Sequence, residues 1–317
     1  MHTFGVSDEV AAADPERRAM RIAVAQLASP LSEPVPDRLA RARDVLAGVR
    51  DADLVVLPEL WPSGYFAFDR YHDLAEPRDG AIMAEFAGWA RAMGTHLQAG
   101  SFLERDAAGK LYNTAVLFGP DGQLLLDYRK VHVFGYQSLE AQLLTGGDRI
   151  DVAATPFGGV GMTTCYDLRF PELYRVLVDR GAELLIVPAA WPAARVEHWR
   201  LLTRTRAVEN QVFLIACNAA GDQGDVQLGG HSVVVDPWGR VVAEAGYDEQ
   251  VLQVDIDLAD VAEIRAEFPV LSDRRLSVSP AFDNAAAAGA EPGAAPQPGV
   301  APQAADAPTQ ATGGMSS

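Results

Sequence analysis

The chain is poor in cysteine and in positive charge. Cys165 and Cys217 are its 2 cysteines, too few for the disulfide framework of a small secreted domain. Lys and Arg number 26 against 43 Asp and Glu, a formal net charge of −17. Nucleic-acid binding rests on a basic face, so no nucleic-acid partner is expected. No apolar run reaches the roughly 18 residues of a membrane span, so no membrane partner is expected either. The opening stretch MHTFGVSDEVAAADPERR has no basic patch leading into an apolar core. It does not read as a secretory signal, and a cytoplasmic location is the expectation.

Several chemistries lack their signatures. There is no G-x-x-x-x-G-K-[ST] loop for phosphates. Gly158-Gly159-Val160-Gly161 lacks the third glycine of a dinucleotide fingerprint and precedes a strand-like run. Ser232, in Gly230-His231-Ser232-Val233-Val234, fails the last glycine of a nucleophile elbow. The 6 histidines are dispersed, and none pairs with a cysteine at metal-ligand spacing. Neither a metal nor an organic cofactor is expected.

What is present is a large apolar fraction, 49% of 317 residues. A globule of that size buries about three quarters of its unfolded surface, so it needs no covalent staple. The ends differ from the middle. Residues 284–317 hold twelve Ala, five Pro and five Gly without an aromatic. Such a segment cannot offset its ordering entropy and is expected to be a disordered tail. Residues 1–19 are polar and Ala-rich and read as a flexible extension, which leaves 20–283 as the folded body.

Within the body, strand and helix patterns alternate. Runs 21–27, 54–57, 96–103, 160–164, 183–187, 212–217 and 251–256 predict strands. Residues 37–50 predict a helix with Leu39, Ala42, Leu46 and Val49 inward and Arg38, Arg41 and Arg43 outward. Residues 81–93, 170–180 and 197–210 predict three more, the second with Pro171 in its first turn. Gly119-Pro120-Asp121-Gly122 and Asp236-Pro237-Trp238-Gly239 are turn signals that predict hairpins 112–118/123–130 and 231–235/240–244. Hairpins mixed with strand–helix units imply mixed sheets. Ten or so strands crowd one twisted sheet, so two stacked sheets with helices outside are expected. No repeat of 20–50 residues is apparent.

One nucleophile candidate stands out. Cys165 ends the run Gly161-Met162-Thr163-Thr164 and opens Tyr166-Asp167-Leu168-Arg169-Phe170-Pro171, a strand, a sharp turn and a helix. A thiol at such a place meets backbone N–H groups that favour its anion. The alternative is a buried structural cysteine, which suits Cys217 in its apolar strand. Glu59 and Lys130 each close an apolar run. For each the alternative is a solvent-facing charge at a strand end. Together the three supply a nucleophile, a carboxylate base and a fixed cation, the parts of thiol acyl transfer. His132 and His198 are the other bases within range of consideration. His132 follows Lys130 by two, and a supporting role ranks above a base role.

These segments resemble the nitrilase superfamily of carbon–nitrogen hydrolases, over about residues 20–280. The resemblance is carried by LVVLPELW around Glu59, LLLDYRKVHVFG around Lys130 and GVGMTTCYDLRFPELYR around Cys165. RTRAVENQVFLIACN and GGHSVVVDPWG support it. It implies a four-layer α-β-β-α sandwich that pairs into homodimers or larger assemblies. It implies Cys165 as nucleophile, Glu59 as general base and Lys130 as oxyanion cation, with the Tyr166 N–H as second donor. Glu140 fits a glutamate that braces the lysine, although an exposed loop charge is the other reading.

Tyr166-Asp167 after the cysteine stands where nitrilases of this superfamily carry Trp-Glu. The stretch CYDLRF, with HWRLLTRTRAVENQ and VAEIRAEFPVLSDRR, is most similar to the branch containing ω-amidases. These release ammonia from ω-amides of dicarboxylates. That implies a small-molecule amide substrate with a free carboxylate, which Arg169 or Arg195 can pair. For Arg169 a structural pair to Asp167 or Glu172 is the alternative. Tyr65, Phe66 and Trp191 are candidate pocket residues, or simply packing. An N-carbamoyl amide hydrolase, a nitrilase and a non-catalytic binding member are the other readings.

Overall fold

A computed structural model of the protein describes residues 19–279 except 137. The expected tail at 284–317 and nearly all of the expected extension at 1–19 lie outside the described residues. Ala19 is the first residue of a strand.

The first half runs β1 (Ala19–Gln26), α1 (Val35–Ala47), β2 (Leu54–Val56), the single turn α2 (Tyr71–Leu74), α3 (Ala81–Met93), β3 (His96–Arg105), β4 (Leu111–Phe118) and β5 (Leu124–Arg129). After the turn α4 (Glu140–Leu143), the second half runs β6 (Val152–Thr155), β7 (Gly158–Met162), α5 (Pro171–Asp179), β8 (Ala182–Ala189), α6 (Val196–Asn210) and β9 (Phe213–Asn218). The short pair β10 (Asp222–Gln223) and β11 (Val226–Gln227) precedes β12 (Val233–Val235) and β13 (Val241–Glu244). Then β14 (Gln250–Asp257) returns to the first half, and α7 (Ala259–Glu267) follows.

Two six-stranded mixed sheets result, ordered β14-β1-β2-β3-β4-β5 and β13-β12-β9-β8-β7-β6. From β14 to β5 the neighbours run antiparallel, parallel, parallel, antiparallel, antiparallel. From β6 to β13 they run in the same series. The halves thus share a topology without a legible sequence repeat, because burial constrains residue class at each position and not identity.

The helices cover the outer faces. Ala42 and Leu46 of α1, with Ile82, Phe86, Trp89 and Ala90 of α3, pack on Ala23, Ala25, Val55, Leu97 and Val116. Side chains alternate along a strand, so Ile22, Val24, Leu54 and Val56 face the other sheet, and all four are buried. On the second sheet, α5 and α6 lie against β8 and β9. Strands covered on both faces read as unbroken apolar runs, which is why β8 and β9 were legible. Among the described residues no helix is long and apolar enough to cross a membrane.

Arg38 departs from the expected outward face of α1. It is 1% exposed. Its guanidinium donates to the carbonyls of Trp61 at 3.2 Å, Pro62 at 2.9 Å and Glu33 at 3.0 Å, and to that of Pro30. Periodicity treats charge as solvent-seeking, but a guanidinium whose N–H groups find oxygens tolerates burial. Here it fixes the loop that follows Glu59. Elements α2, β6, β10, β11, α4 and α7 have no counterpart in the sequence reading. They are short or, like α7 with only Val261 and Ile264 buried, carry little apolar signal.

Candidate active site

Four strand ends converge. Glu59 lies just past β2, Lys130 directly after β5, Cys165 just past β7 and Ala190 directly after β8. Loops beyond the carboxyl ends of parallel strands are where open α/β sheets place ligands.

Cys165 opens the 3₁₀ turn Cys165–Arg169 with φ +48°. A non-glycine residue in this left-handed region is strained, and the strain turns the side chain sharply off the strand. Asp167 holds the turn: its Oδ2 accepts the Thr164 N–H at 3.0 Å and the Tyr128 hydroxyl at 2.7 Å. Leu60, beside Glu59, also has positive φ, +43°. There the Leu60 N–H donates to Ser101 Oγ at 2.9 Å.

Glu59, Lys130 and Glu140 are each at most 1% exposed. Lys130 Nζ donates to Glu59 Oε1 at 2.9 Å and to Glu140 Oε1 at 2.8 Å. Glu140 Oε2 also accepts the Tyr65 hydroxyl at 2.8 Å and the Phe134 N–H at 3.0 Å. The exposed-loop reading of Glu140 is therefore excluded. Gly147 makes this junction possible. Its N–H donates to the Lys130 carbonyl at 2.8 Å, and a Cβ there would stand 2.2 Å from the Arg129 oxygen.

Asn113 of β4 and the Ala190 N–H complete the surroundings of Glu59, donating at 2.7 and 2.8 Å. The Cys165 thiol lies near enough to the Glu59 carboxylate for the two charges to act on each other. Sequence reasoning missed Asn113 and the strand-end amide, and it named Asp167 without its bracing role. The signal of Asn113 is only polarity inside an otherwise apolar run.

Burial pushes the Glu59 carboxyl above the usual carboxylate range; the Lys130 charge opposes the shift and the Glu140 charge adds to it. Burial alone would lower Lys130, but Glu140 and Glu59 outweigh it and hold the ammonium well above its ordinary value. The Cys165 thiol is pushed well up, first by burial and then by the Glu59 charge, against Lys130 and the Ala190 N–H. These directions favour a protonated sulfur beside an ammonium, and the three donors that Glu59 accepts suit its carboxylate form. That arrangement can pass a proton from sulfur to oxygen as the sulfur attacks.

Cys165 opens into a pocket walled by Tyr65, Phe134, Tyr166, Trp191 and Pro192, with Arg169 and Arg195 at its rim. Arg169 lies over the Trp191 ring at 4.6 Å, and Arg195 over Phe134 at 5.6 Å. The alternative pair of Arg169 with Asp167 or Glu172 does not form. Asp167 is taken up by Thr164, Tyr128 and His132, and Arg169 Nη2 reaches His198 Nδ1 at 3.3 Å. Among the described residues, neither arginine is ion-paired to a carboxylate. Burial first, then the Arg195 charge, lowers the pKa of Arg169. Phe66 packs edge-on against Tyr65 and Phe68 outside the pocket. Cys217 is fully buried and donates to the Ala25 carbonyl at 3.4 Å. A larger groove of about 720 Å³ on the outside of the second sheet, between α6 and β13, holds no nucleophile. No group of His, Cys, Asp and Glu suited to a metal occurs among the described residues.

A family model described as carbon-nitrogen hydrolase matches residues 21–266. A 2-oxoglutaramate amidase of Paenarthrobacter nicotinovorans is 39% identical over 279 residues, 85% of this chain and 94% of that protein. Omega-amidase NIT2 of Homo sapiens is 39% identical, covering 81% of this chain and 95% of its own length. Among solved structures, Saccharomyces cerevisiae Nit3, a member of branch 10 of the nitrilase superfamily, superposes with TM-score 0.74 at 33% identity, over 81% of this chain and 97% of its own. A glutamine mutant of an amidase from Nesterenkonia sp. AN1, its active-site cysteine carrying the acetamide moiety of fluoroacetamide, gives 0.71 at 30% over 81% and 94%. With its two-sheet architecture and this coverage, the chain belongs to the carbon–nitrogen hydrolases of the nitrilase superfamily.

Proposed function

We propose that the protein is a cysteine-dependent amidase that releases ammonia from a small ω-amide bearing a free carboxylate. The observation that carries it is the Glu59 carboxylate, bonded to the Lys130 ammonium and set beside Cys165, which opens into a pocket lined by two arginines that have no acidic partner among the described residues.

The steps follow from the groups. The sulfur attacks the amide carbon while its proton moves to Glu59. The oxyanion is met by Lys130 Nζ and the Tyr166 N–H; such donors are worth roughly 10²–10³ in rate each. Glu59 returns the proton to the leaving nitrogen, and ammonia departs from a thioester. Glu59 then takes a proton from water, hydroxide adds to the thioester carbon, and collapse expels the sulfur, which regains that proton. Glu140 holds Lys130 throughout.

Arg169 and Arg195 supply the distal recognition. Paired guanidiniums suit a carboxylate and repel an α-ammonium, so a 2-oxo or unsubstituted acid amide is preferred over an amino-acid amide. The names of the relatives, 2-oxoglutaramate amidase and omega-amidase, support this reading. Assembly into a homodimer or larger homo-oligomer is part of the same proposal.

The test is ammonia release from 2-oxoglutaramate, glutamine, a carbamoyl amino acid and a nitrile. Turnover of the first well above the others is expected, with loss in Cys165→Ala. Wild-type turnover by Cys165→Ala, or a preference for the nitrile, overturns the reading.

A further inference from the structure

The two oxygens of Glu59 are held differently. Oε1 accepts Lys130 Nζ at 2.9 Å and Asn113 Nδ2 at 2.7 Å. Oε2 accepts the Ala190 N–H at 2.8 Å, and Ala190 lines the same pocket as Cys165. Oε2 is therefore the oxygen on the side of the thiol. Two donors fill the two lone pairs of Oε1, whereas Oε2 keeps one free.

Asn113 is 1% exposed, and among the described residues its Oδ1 is buried without a donor. A buried amide oxygen left unpaired is costly. Turning the amide over would instead set Oδ1 against the carboxylate. The orientation thus serves Glu59 and not the satisfaction of Asn113. The main chain of Asn113 is tied to the same centre, since its carbonyl accepts the Lys130 N–H at 2.8 Å.

We propose that Asn113 is a positioning residue: with Lys130 it reserves Oε1 of Glu59 as a permanent acceptor and confines the shuttled proton to Oε2, beside the sulfur. The inference rests on the reading of Glu59 as the base. The thiol proton arrives on Oε2 and leaves from Oε2 to the departing nitrogen. A proton on Oε1 would displace one donor and point away from both partners. A neutral amide suits this place. It orients the carboxylate as a second cation would, but without a full charge that would weaken the base. The ionisable groups facing Glu59 are Lys130 from the end of β5, Glu140 from α4, Cys165 from its turn, and Tyr65 and Tyr71 from the segment after β2.

The test is the pH profile of kcat/KM, measured by ammonia release, for Asn113→Leu and Asn113→Asp. The first keeps the shape without the donor. The second sets a carboxylate against Oε1, so the two acids must share a proton on the wrong side. For Asn113→Leu, kcat is expected to fall roughly 10-fold or more with KM nearly unchanged. The acidic limb should move to higher pH, because the charged form of Glu59 has lost a donor. Asn113→Asp should move it further in the same direction. An acidic limb at the wild-type position in a folded variant, with a melting temperature near wild type, overturns the proposal. If Asn113→Leu does not fold, Asn113→Asp decides alone. Glu59→Gln separates the levels: an active Glu59→Gln defeats the base reading and this inference with it. An inactive one, alongside unmoved limbs in the Asn113 variants, defeats only the inference.

Discussion

His132 meets Asp167 twice, through its backbone N–H at 2.9 Å and its Nδ1 at 2.7 Å, both to Oδ1. An ionised carboxylate only accepts, so Nδ1 carries a proton. The imidazole also stacks on Phe170, with centroids 3.7 Å apart and planes 7° from parallel. Oδ2 of the same carboxylate holds Thr164, one residue before Cys165. Asp167 therefore joins the turn that aims Cys165 to the chain two residues past Lys130. This supporting place for His132 agrees with its ranking from sequence.

That link predicts the behaviour of Asp167→Asn. The amide offers one acceptor oxygen where the carboxylate serves four donors, and its own N–H₂ must face at least one of them. Orphaned buried donors cost about 1–3 kcal/mol each, so a stability loss of roughly 2–4 kcal/mol is expected. Activity should fall through kcat, because both Cys165 and Lys130 are displaced. Urea unfolding and steady-state kinetics check this. A variant with wild-type midpoint and kcat would show that the link is dispensable.

The sheets and the cluster of Glu59, Lys130 and Cys165 were legible for a common reason. Buried strands such as β2 are written in unbroken apolar residues, and a charge that ends such a run, as Glu59 and Lys130 do, contradicts its surroundings enough to be noticed. Glu140 was placed only by resemblance, since its loop shows no periodicity. Asn113 escaped because its partner Glu59 lies 54 residues away and nothing local marks it; Asp167 was noticed beside the cysteine, but its bond to Tyr128 spans 39 residues. Arg38 misled for the opposite reason: its charge suggested water, while its partners are carbonyls across a loop.

The pH dependence of the wild type follows from Glu59. As the proposed base, Glu59 works as its carboxylate, and burial raises its pKa above the ordinary 4.5. The value of kcat/KM should therefore fall on the acid side at a pH above that figure. Glu140→Gln removes a negative charge that raises Glu59 further. Its acidic limb should move to lower pH, while kcat drops because Lys130 loses a bond of 2.8 Å. A limb that moves upward would contradict the charge argument.

The two cysteines should separate chemically. Cys217 is 0% exposed between the sheets, and burial raises its pKa far above the ordinary thiol range. Cys165 is also raised but opens into the pocket beside Lys130. Iodoacetamide at neutral pH should alkylate Cys165 alone, with loss of activity in proportion, and Cys217 only after unfolding. Peptide mass mapping reads both sites. Equal, slow labelling would favour a non-catalytic binding protein.

The rim arginines should act on substrate binding and not on the chemical step. Arg169 is steered by the Trp191 ring at 4.6 Å and by His198, and Arg195 by Phe134; none of these neutralises a guanidinium. The partner proposed for them is the substrate carboxylate, and a charge-assisted bond to one contributes about 1.5–3 kcal/mol. Arg169→Met or Arg195→Met should thus raise KM for a carboxylate-bearing ω-amide roughly 10- to 100-fold with a smaller change in kcat. For a simple aliphatic amide lacking the carboxylate, the same variants should leave KM nearly unchanged. Equal losses on both substrates would mean that the arginines support the pocket wall, and the carboxylate would then have to be recognised elsewhere.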